Sequence, residues 1–433
     1  MSSPEAFIPF SRRDLLRLIL ADRDFAAAHE ETFRSFCRLL EAWLHHTYHS
    51  RLEDLKSNFA HLDPDRDTLV REQPDANTIQ AREAELIGHL RWILGRANYR
   101  SLSQEQLDAA LVGRSLIDLD LRIDFDDFEQ MLFYWRGAER LALPPAPKWK
   151  FWRKPGDMDV FQRVMLLIRF KDADYFAAQN RRVEQLGFTP GKMYLYLYKQ
   201  IPKLDLEVLF PNVEIHMTLK DRLLFAVPAL GAAVPMVLKA LPQLMLVVGV
   251  LLFFSLGPDA VKGLGLSGAQ IGNFLPVLLA LLSLAVVFGG FAVKQYLGYK
   301  NKQLKFLKDV TDTLFFRNLV SNAGVFHALV DSAEEEEAKE IMLAAYHLLS
   351  ADRPLTAEAL DQQIEAWLAG QGAKVDFDVA KALLTMEAIE SDGLRLLERR
   401  DGSLQMLPPQ RACALLDQIW DQLYDYSVPL TET

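Results

Sequence analysis

Apolar positions along this chain follow more than one period. Through the first 140 residues they recur at helical spacing: Leu15, Leu16, Ile19 and Leu20, then Phe33, Phe36, Leu39, Leu40 and Trp43. That is the stripe of an amphipathic helix. Ile79–Ala97 and the stretch after Ser103 continue the pattern, and a polar segment around His61–Asn77, rich in Asp, Pro and Asn, interrupts it. Between 158 and 218 the period shortens. Val160–Phe170 reads as a strand, Asp172–Leu186 as a helix and Lys192–Lys199 as a second strand. In that second strand Met193, Leu195 and Leu197 share one face, and Tyr194, Tyr196 and Tyr198 the other. Val213–Thr218 is a third candidate, so this region predicts a small α/β unit.

Polar positions then almost vanish. Between Leu223 and Leu256 the only charge is Lys239, and Phe274–Val293 has none. About 20 apolar residues cross a bilayer as a helix. Ala240–Leu256, ended by Gly257 and Pro258, and Phe274–Val293 therefore read as a transmembrane hairpin, with Leu223–Leu238 as an interfacial or re-entrant helix. Lys199, Lys203, Lys220 and Arg222 precede these spans. Lys294, Lys300, Lys302, Lys305 and Lys308 follow them, whereas the connecting loop carries only Lys262. The positive-inside rule then puts both flanks, and both termini, on the cytoplasmic side. Lys239 and Lys294 would sit at headgroup level, and Tyr296 and Tyr299 in an aromatic belt.

The C-terminal 128 residues return to helical spacing, at Glu334–Leu349, Ala357–Ala369, Val379–Ile389 and Ala412–Tyr424. Leu394–Glu398 and Leu404–Leu407 flank Asp401-Gly402, a type I′ hairpin signal. Three helices followed by a hairpin suggest a winged-helix-like unit. The expected fold is therefore mainly α, with a small α/β unit, in an integral membrane protein with a two-helix transmembrane hairpin. Its units are 1–143 (helical), 144–157 (linker), 158–222 (α/β), 223–297 (membrane) and 306–433 (helical, winged-helix-like).

Charge narrows the partners. The whole chain carries −10, and residues 306–433 hold 10 Lys and Arg against 23 Asp and Glu, a net of −13. Phosphate backbones would be repelled, which excludes nucleic acid. The two cysteines, Cys37 and Cys413, lie far apart and give no disulfide framework or metal knuckle. The N-terminal segment lacks the form of a signal peptide, because Arg17 and Asp22 break its apolar run, and of a transit peptide, because Glu5, Asp14 and Asp22 come early.

Few motifs carry chemistry. His45 and His49, spaced i and i+4, share a helix face that could hold a metal, though no third ligand is marked. Asp63, Asp65 and Asp67 begin like a calcium loop, but Thr68 and Pro74 stand where that loop needs Gly and Glu. Capping aspartates in a turn are the remaining reading. Glu334–Glu337 fits the first turn of a helix, solvated or binding a cation or partner. Gly263, Gly265 and Gly268 have dinucleotide spacing without the strand before them. Gly268 and Gly272 form a GxxxG, which favours close packing of the hairpin and a homo-oligomer. Lys148, Trp149, Lys150, Trp152 and Arg153, in a Pro-rich linker, suit a membrane interface or an interdomain tether. No cofactor is implied.

Several stretches together resemble one family: FIPFSRRDLLRLI, LKSNFAHLDPDRDT, RIDFDDFEQMLFYWRG, KMYLYLYKQIPKLDLEVLFPN and FFRNLVSNAGVFHALVDSAEEEEAKEIMLAAYHLL. They are similar to the transmembrane protein 143 family, a group of unknown function. The resemblance implies two membrane spans and brings no catalytic residues to carry over, and the missing transit peptide favours a bacterial inner membrane. It also draws attention to Lys203, Asp205, Glu207 and Asn212 before the apolar region, and to Asn318, Asn322 and Glu334–Glu340 after it. These are expected to form a polar collar under the hairpin. The functional expectation is a non-catalytic, membrane-anchored protein acting by protein or lipid contacts. A channel built from the hairpin and a lipid-acting enzyme are the alternatives.

Overall fold

The computed structural model describes residues 5–69, 74–102, 107, 120–142, 157–203, 206–216 and 317–424, together with scattered positions between 241 and 308. Two compact units form. One gathers Met1–Arg114, Asp124–Leu206 and Arg317–Thr433; the other comprises Ser115–Ile123 and Glu207–Phe316.

The first unit begins with α1 (Arg12–Ile19) and α2 (Arg23–Phe59), then α3 (Ala76–Arg96). Each starts where a side chain accepts from a free first-turn amide: Ser11 for α1, Asp22 for α2 and Asp75 for α3. α3 ends at Ala97, and Asn98, at φ 57°, turns the chain into the strand β1 (Arg100–Ser101). The short strand β2 (Asp120–Arg122) belongs to the second unit. Two long strands follow, β3 (Phe128–Ala142) and β4 (Asp157–Phe170), then the short helix α4 (Ala173–Ala178) and β5 (Met193–Pro202). In the second unit β6 (Glu214–His216) pairs with β2 in antiparallel register. β7 (Asn318–Ser321) returns to the first unit and leads into α5 (Ala323–Ser350), its central helix. Then come α6 (Ala357–Gly370), α7 (Val379–Ala388), the short pair β8 (Glu390–Ser391) and β9 (Leu394–Arg395), the hairpin β10 (Leu397–Arg400) and β11 (Ser403–Met406), and α8 (Pro409–Asp421).

The main sheet is five-stranded and antiparallel, in the order β1-β3-β4-β5-β7. Met165 and Leu167 of β4 and Met193, Leu195 and Leu197 of β5 join the same apolar cluster as α1, α2, α3 and α5. The alternation predicted for β5 is present. Its tyrosines lie on the other face, with ring centroids 6.4 and 5.7 Å apart along Tyr194, Tyr196 and Tyr198.

Several expectations are corrected. The strands are too long, and their sheet too central, for a mainly α protein with a small α/β unit. β3 spans 15 residues and lay inside the region read as helical. The helix expected over Asp172–Leu186 stops at Ala178, because Asn180 adopts a left-handed φ of 58°. The C-terminal stretch is not a separate winged-helix-like unit. Its first helix, α5, packs against α1, α2 and α3, and α8 packs on α2. The hairpin itself is there, with Asp401 at φ 53° and Gly402 at φ 78° turning Arg400 onto Ser403.

The membrane hairpin is also corrected. Among the described residues no helix is long and apolar enough to cross a membrane. This overturns the integral-membrane reading and the inner-membrane placement drawn from it. The described positions within 240–256 and 274–293 are helical. An apolar run, however, records avoidance of water and does not by itself fix the continuous helix that a crossing needs. Leu223–Leu238, Gly263, Gly265, Gly268 and Gly272 lie outside the described residues.

Candidate functional site

α5 places its charges where core side chains belong. The four glutamates do not open a helix: α5 starts at Ala323, so they fall on its middle turns. Glu336, Glu337, Lys339 and Glu340 are buried, and Glu334 nearly so. A buried charge is tolerated only when paired and hydrogen-bonded, and the first unit supplies partners from five directions. Lys339 Nζ lies 2.7 Å from Glu336 and also donates to the Ile8 carbonyl at 2.7 Å. The Ile8 amide donates to Glu336 Oε1 at 2.5 Å. Arg96, at the end of α3, donates to Glu337 and to Thr385 Oγ1 of α7, and the Thr385 and Tyr48 hydroxyls both donate to Glu337. Arg12 of α1 pairs with Glu334 and Glu335, and His45 Nδ1 lies 3.0 Å from Glu334.

Glu340 is the exception. Asn98 Nδ2 donates to its Oε1 at 2.8 Å, while Oε2 has no hydrogen-bond partner among the described residues. Lys381 of α7 reaches Asn98 Oδ1 at 2.6 Å rather than the carboxylate itself. Burial, with the adjacent charge of Glu336, pushes the Glu340 carboxyl up to about 8. The Tyr48 hydroxyl is likewise pushed above its usual range, by burial and then by Glu337.

A second feature of the first unit is open. A cleft of about 820 Å³ runs between one face of α3 and the ends of the sheet strands. Ile79, Gln80, Glu83, Ile87 and Arg91, at helical spacing, form the α3 wall. Glu129, Arg169, Asp172 and Lys192 form much of the other, where Gly191, at φ 73°, turns the chain into β5. Arg169 Nη1 donates to Glu83 Oε2, so an ion pair bridges the walls. Both groups are incompletely satisfied: Glu83 Oε1 and Arg169 Nε are buried and lack partners among the described residues. Burial raises the Glu83 carboxyl above its ordinary range, against the pull of Arg169. The formal charges on the walls balance, Arg91, Arg169 and Lys192 against Glu83, Glu129 and Asp172.

The sequence-predicted residues are scattered. His45 and His49 stack on α2 with centroids 6.4 Å apart, but His45 is engaged with Glu334, and no group of three or more His, Cys, Asp or Glu able to hold a metal occurs among the described residues. Asp63 closes its own turn, accepting from the Asp65 amide at 3.0 Å. Asp65 accepts from Asn322 Nδ2, and Asn322 also ties β5, donating from its backbone to Leu195 and accepting the Leu195 amide on Oδ1.

The collar candidates described in the first unit have different surroundings. Glu334 and Glu340 are interior, Asn318 is exposed on β7, and Lys203 lies 3.8 Å from Asp159 and over the Phe161 ring. Glu207 and buried Asn212 belong to the second unit, and Asp205 is outside the described residues. Of the interface candidates, Lys294 and Tyr296 are exposed helical positions, while Lys148, Trp149, Lys150, Trp152, Arg153, Lys239 and Tyr299 lie outside the described residues. No sequence signal marked the cleft. Its walls come from α3 and from three strand ends far apart in the chain.

A family model described as a protein of unknown function (DUF3754) matches residues 161–324, less than half of the chain. The match includes Arg169 and Lys192 of the cleft and ends before the glutamates of α5. No solved structure matches the chain.

Proposed function

We propose that this chain is a non-catalytic binding protein and that the cleft between α3 and the sheet receives a small polar molecule. The observation that carries the reading is the Glu83–Arg169 pair. It bridges the two walls while leaving, among the described residues, one buried atom without a partner on each side chain. Each such atom costs about 1–3 kcal/mol when left unmade. A ligand that draws either side chain toward the cleft can supply the missing donor or acceptor. The volume lies within the range of small-molecule sites. The balanced charge of the walls favours an uncharged or zwitterionic molecule over a polyanion.

The non-catalytic part rests on how the reactive groups are used. The glutamates of α5 are engaged with Arg12, Arg96, Lys339 and Asn98. The Cys37 thiol is buried, and burial pushes it well above the ordinary thiol range, away from nucleophilic form. A second reading, contact with another protein, draws on Trp420 and Tyr424, exposed aromatics set edge-on to His46. Kinship with the transmembrane protein 143 family stands beside these readings as a proposal and brings no ligand with it.

The test is thermal unfolding against a panel of free amino acids, neutral sugars, nucleosides and nucleotides. It uses the wild type and Ile79→Trp, which places an indole in the cleft and leaves both members of the ion pair in the sequence. The reading expects an uncharged or zwitterionic class to raise the Tm of the wild type by several degrees and to leave Ile79→Trp unchanged. Stabilisation by no class, or equal stabilisation of both proteins, contradicts it.

A further inference from the structure

The chain near Glu5 is a strap fastened at two points. Its Glu5 end is held by backbone bonds on either side of Val375, from the Glu5 amide to Lys374 O at 3.1 Å and from the Asp376 amide to Glu5 O at 2.8 Å. At its Ile8 end the backbone amide and carbonyl are both held by side chains of α5, and the Ile8 side chain is buried in the core. Glu336 takes the Ile8 amide, and Lys339 takes the Ile8 carbonyl. Glu340 lies one turn beyond Glu336 on the same face of α5. The Asn98 amide that donates to Glu340 at 2.8 Å also reaches Glu336 at 3.5 Å, so the two carboxyls share one donor.

Among the described residues few charged and titratable groups bear on Glu340. Glu336 and Glu337 oppose its negative charge from α5. Tyr48 approaches from α2, with its hydroxyl committed to Glu337. Lys381 favours the charge from α7, but its ammonium is engaged by Asn98 and by Asp378 at 3.5 Å. Lys339 is turned to Glu336 and the strap.

We propose that Glu340 is a proton-operated latch: while it holds its proton α5 keeps the strap, and when the proton leaves, Glu336 gives up the Ile8 amide. The neutral carboxyl takes the Asn98 bond and leaves Glu336 free to serve Ile8. The ionised carboxylate keeps that bond but repels Glu336 across a dry interior, where charge is poorly screened. Glu336 and Glu340 ride on one rigid helix and cannot part by moving its backbone. The part that can yield is the side-chain bond from Glu336 to the strap. Burial and the Glu336 charge place the change near pH 8.

Hydrogen exchange of individual amides, expressed as protection factors at pH 6 and pH 9, tests this in the full chain. In the wild type the Ile8 protection factor should fall at least tenfold, while Leu166 in the middle of β4 keeps its protection. In Glu340→Gln, a neutral isostere of the protonated acid, Ile8 protection should stay constant. Equal Ile8 protection at both pH values, an equal fall in Glu340→Gln, or a parallel fall at Leu166 overturns the latch. Should the variant fail to fold, carboxyl ¹³C titration of the wild type decides alongside the wild-type exchange. A glutamate titrating near pH 8 is expected, and a Glu340 carboxyl already ionised at pH 6 overturns the proposal.

Discussion

Lys339 and Glu336, three residues apart on α5, pair toward the protein interior at 2.7 Å, with both side chains almost wholly buried. At this spacing on a helix surface such a pair contributes a few tenths of a kcal/mol. Here it lies between α5 and the strap that carries Ile8. Removing one partner leaves an uncompensated buried charge, and Lys339→Met should cost about 3–5 kcal/mol. Replacing both, with Glu336→Leu and Lys339→Met, should cost less than the single change. Urea unfolding of the three proteins measures the difference.

The Glu340 carboxyl gives stability a defined pH dependence. Its value in the folded chain is about 8, against 4.5 for an ordinary glutamate. The folded state therefore binds this proton more tightly than the unfolded state. The contribution is fully present below pH 4.5 and is lost as pH rises through 8. The slope reaches about 1.4 kcal/mol per pH unit in that window. Glu340→Gln should remove this slope and unfold at higher urea than the wild type at pH 8.5, as denaturation curves at pH 6 and pH 8.5 would show.

The bridge across the cleft should behave as a joint between α3 and β4. Arg169→Ala strands the buried Glu83 carboxylate and should cost about 3 kcal/mol. Adding Glu83→Gln to that variant should recover part of the loss, because a neutral amide is cheaper to leave unpaired than a charge. Thermal unfolding at fixed pH compares them.

At Gly402, φ is 78°, in the left-handed region where an L side chain is strained. Gly402→Ala should cost about 1 kcal/mol, read from the midpoint of unfolding.

Much of the local structure was legible because period and caps agree. The stripe of Phe33, Phe36 and Leu40 becomes the buried face of α2, and Asp401-Gly402 makes its turn. β3 was missed because Glu129, Arg136, Glu139 and Arg140 break its alternation. Its pairing with β4 is a tertiary fact, and strand preference depends on such context. The glutamates of α5 were misplaced for a related reason. Four consecutive acids read as solvated, and their partners, Ile8, Arg12, Tyr48, Arg96, Asn98 and Thr385, are scattered through the sequence and assemble only in the fold. The cleft was invisible because its α3 wall faces strand ends that are far apart in sequence. In the membrane reading, hydropathy was taken for a continuous crossing helix, which the described residues do not contain.

Above all, the cleft between α3 and the sheet is proposed to be a binding site. Calorimetric titration of the most stabilising compound of the panel into the wild type and into Ile79→Trp tests it most directly. One molecule should bind per chain in the wild type, with no heat of binding in the variant. Binding of equal strength to both proteins would contradict it.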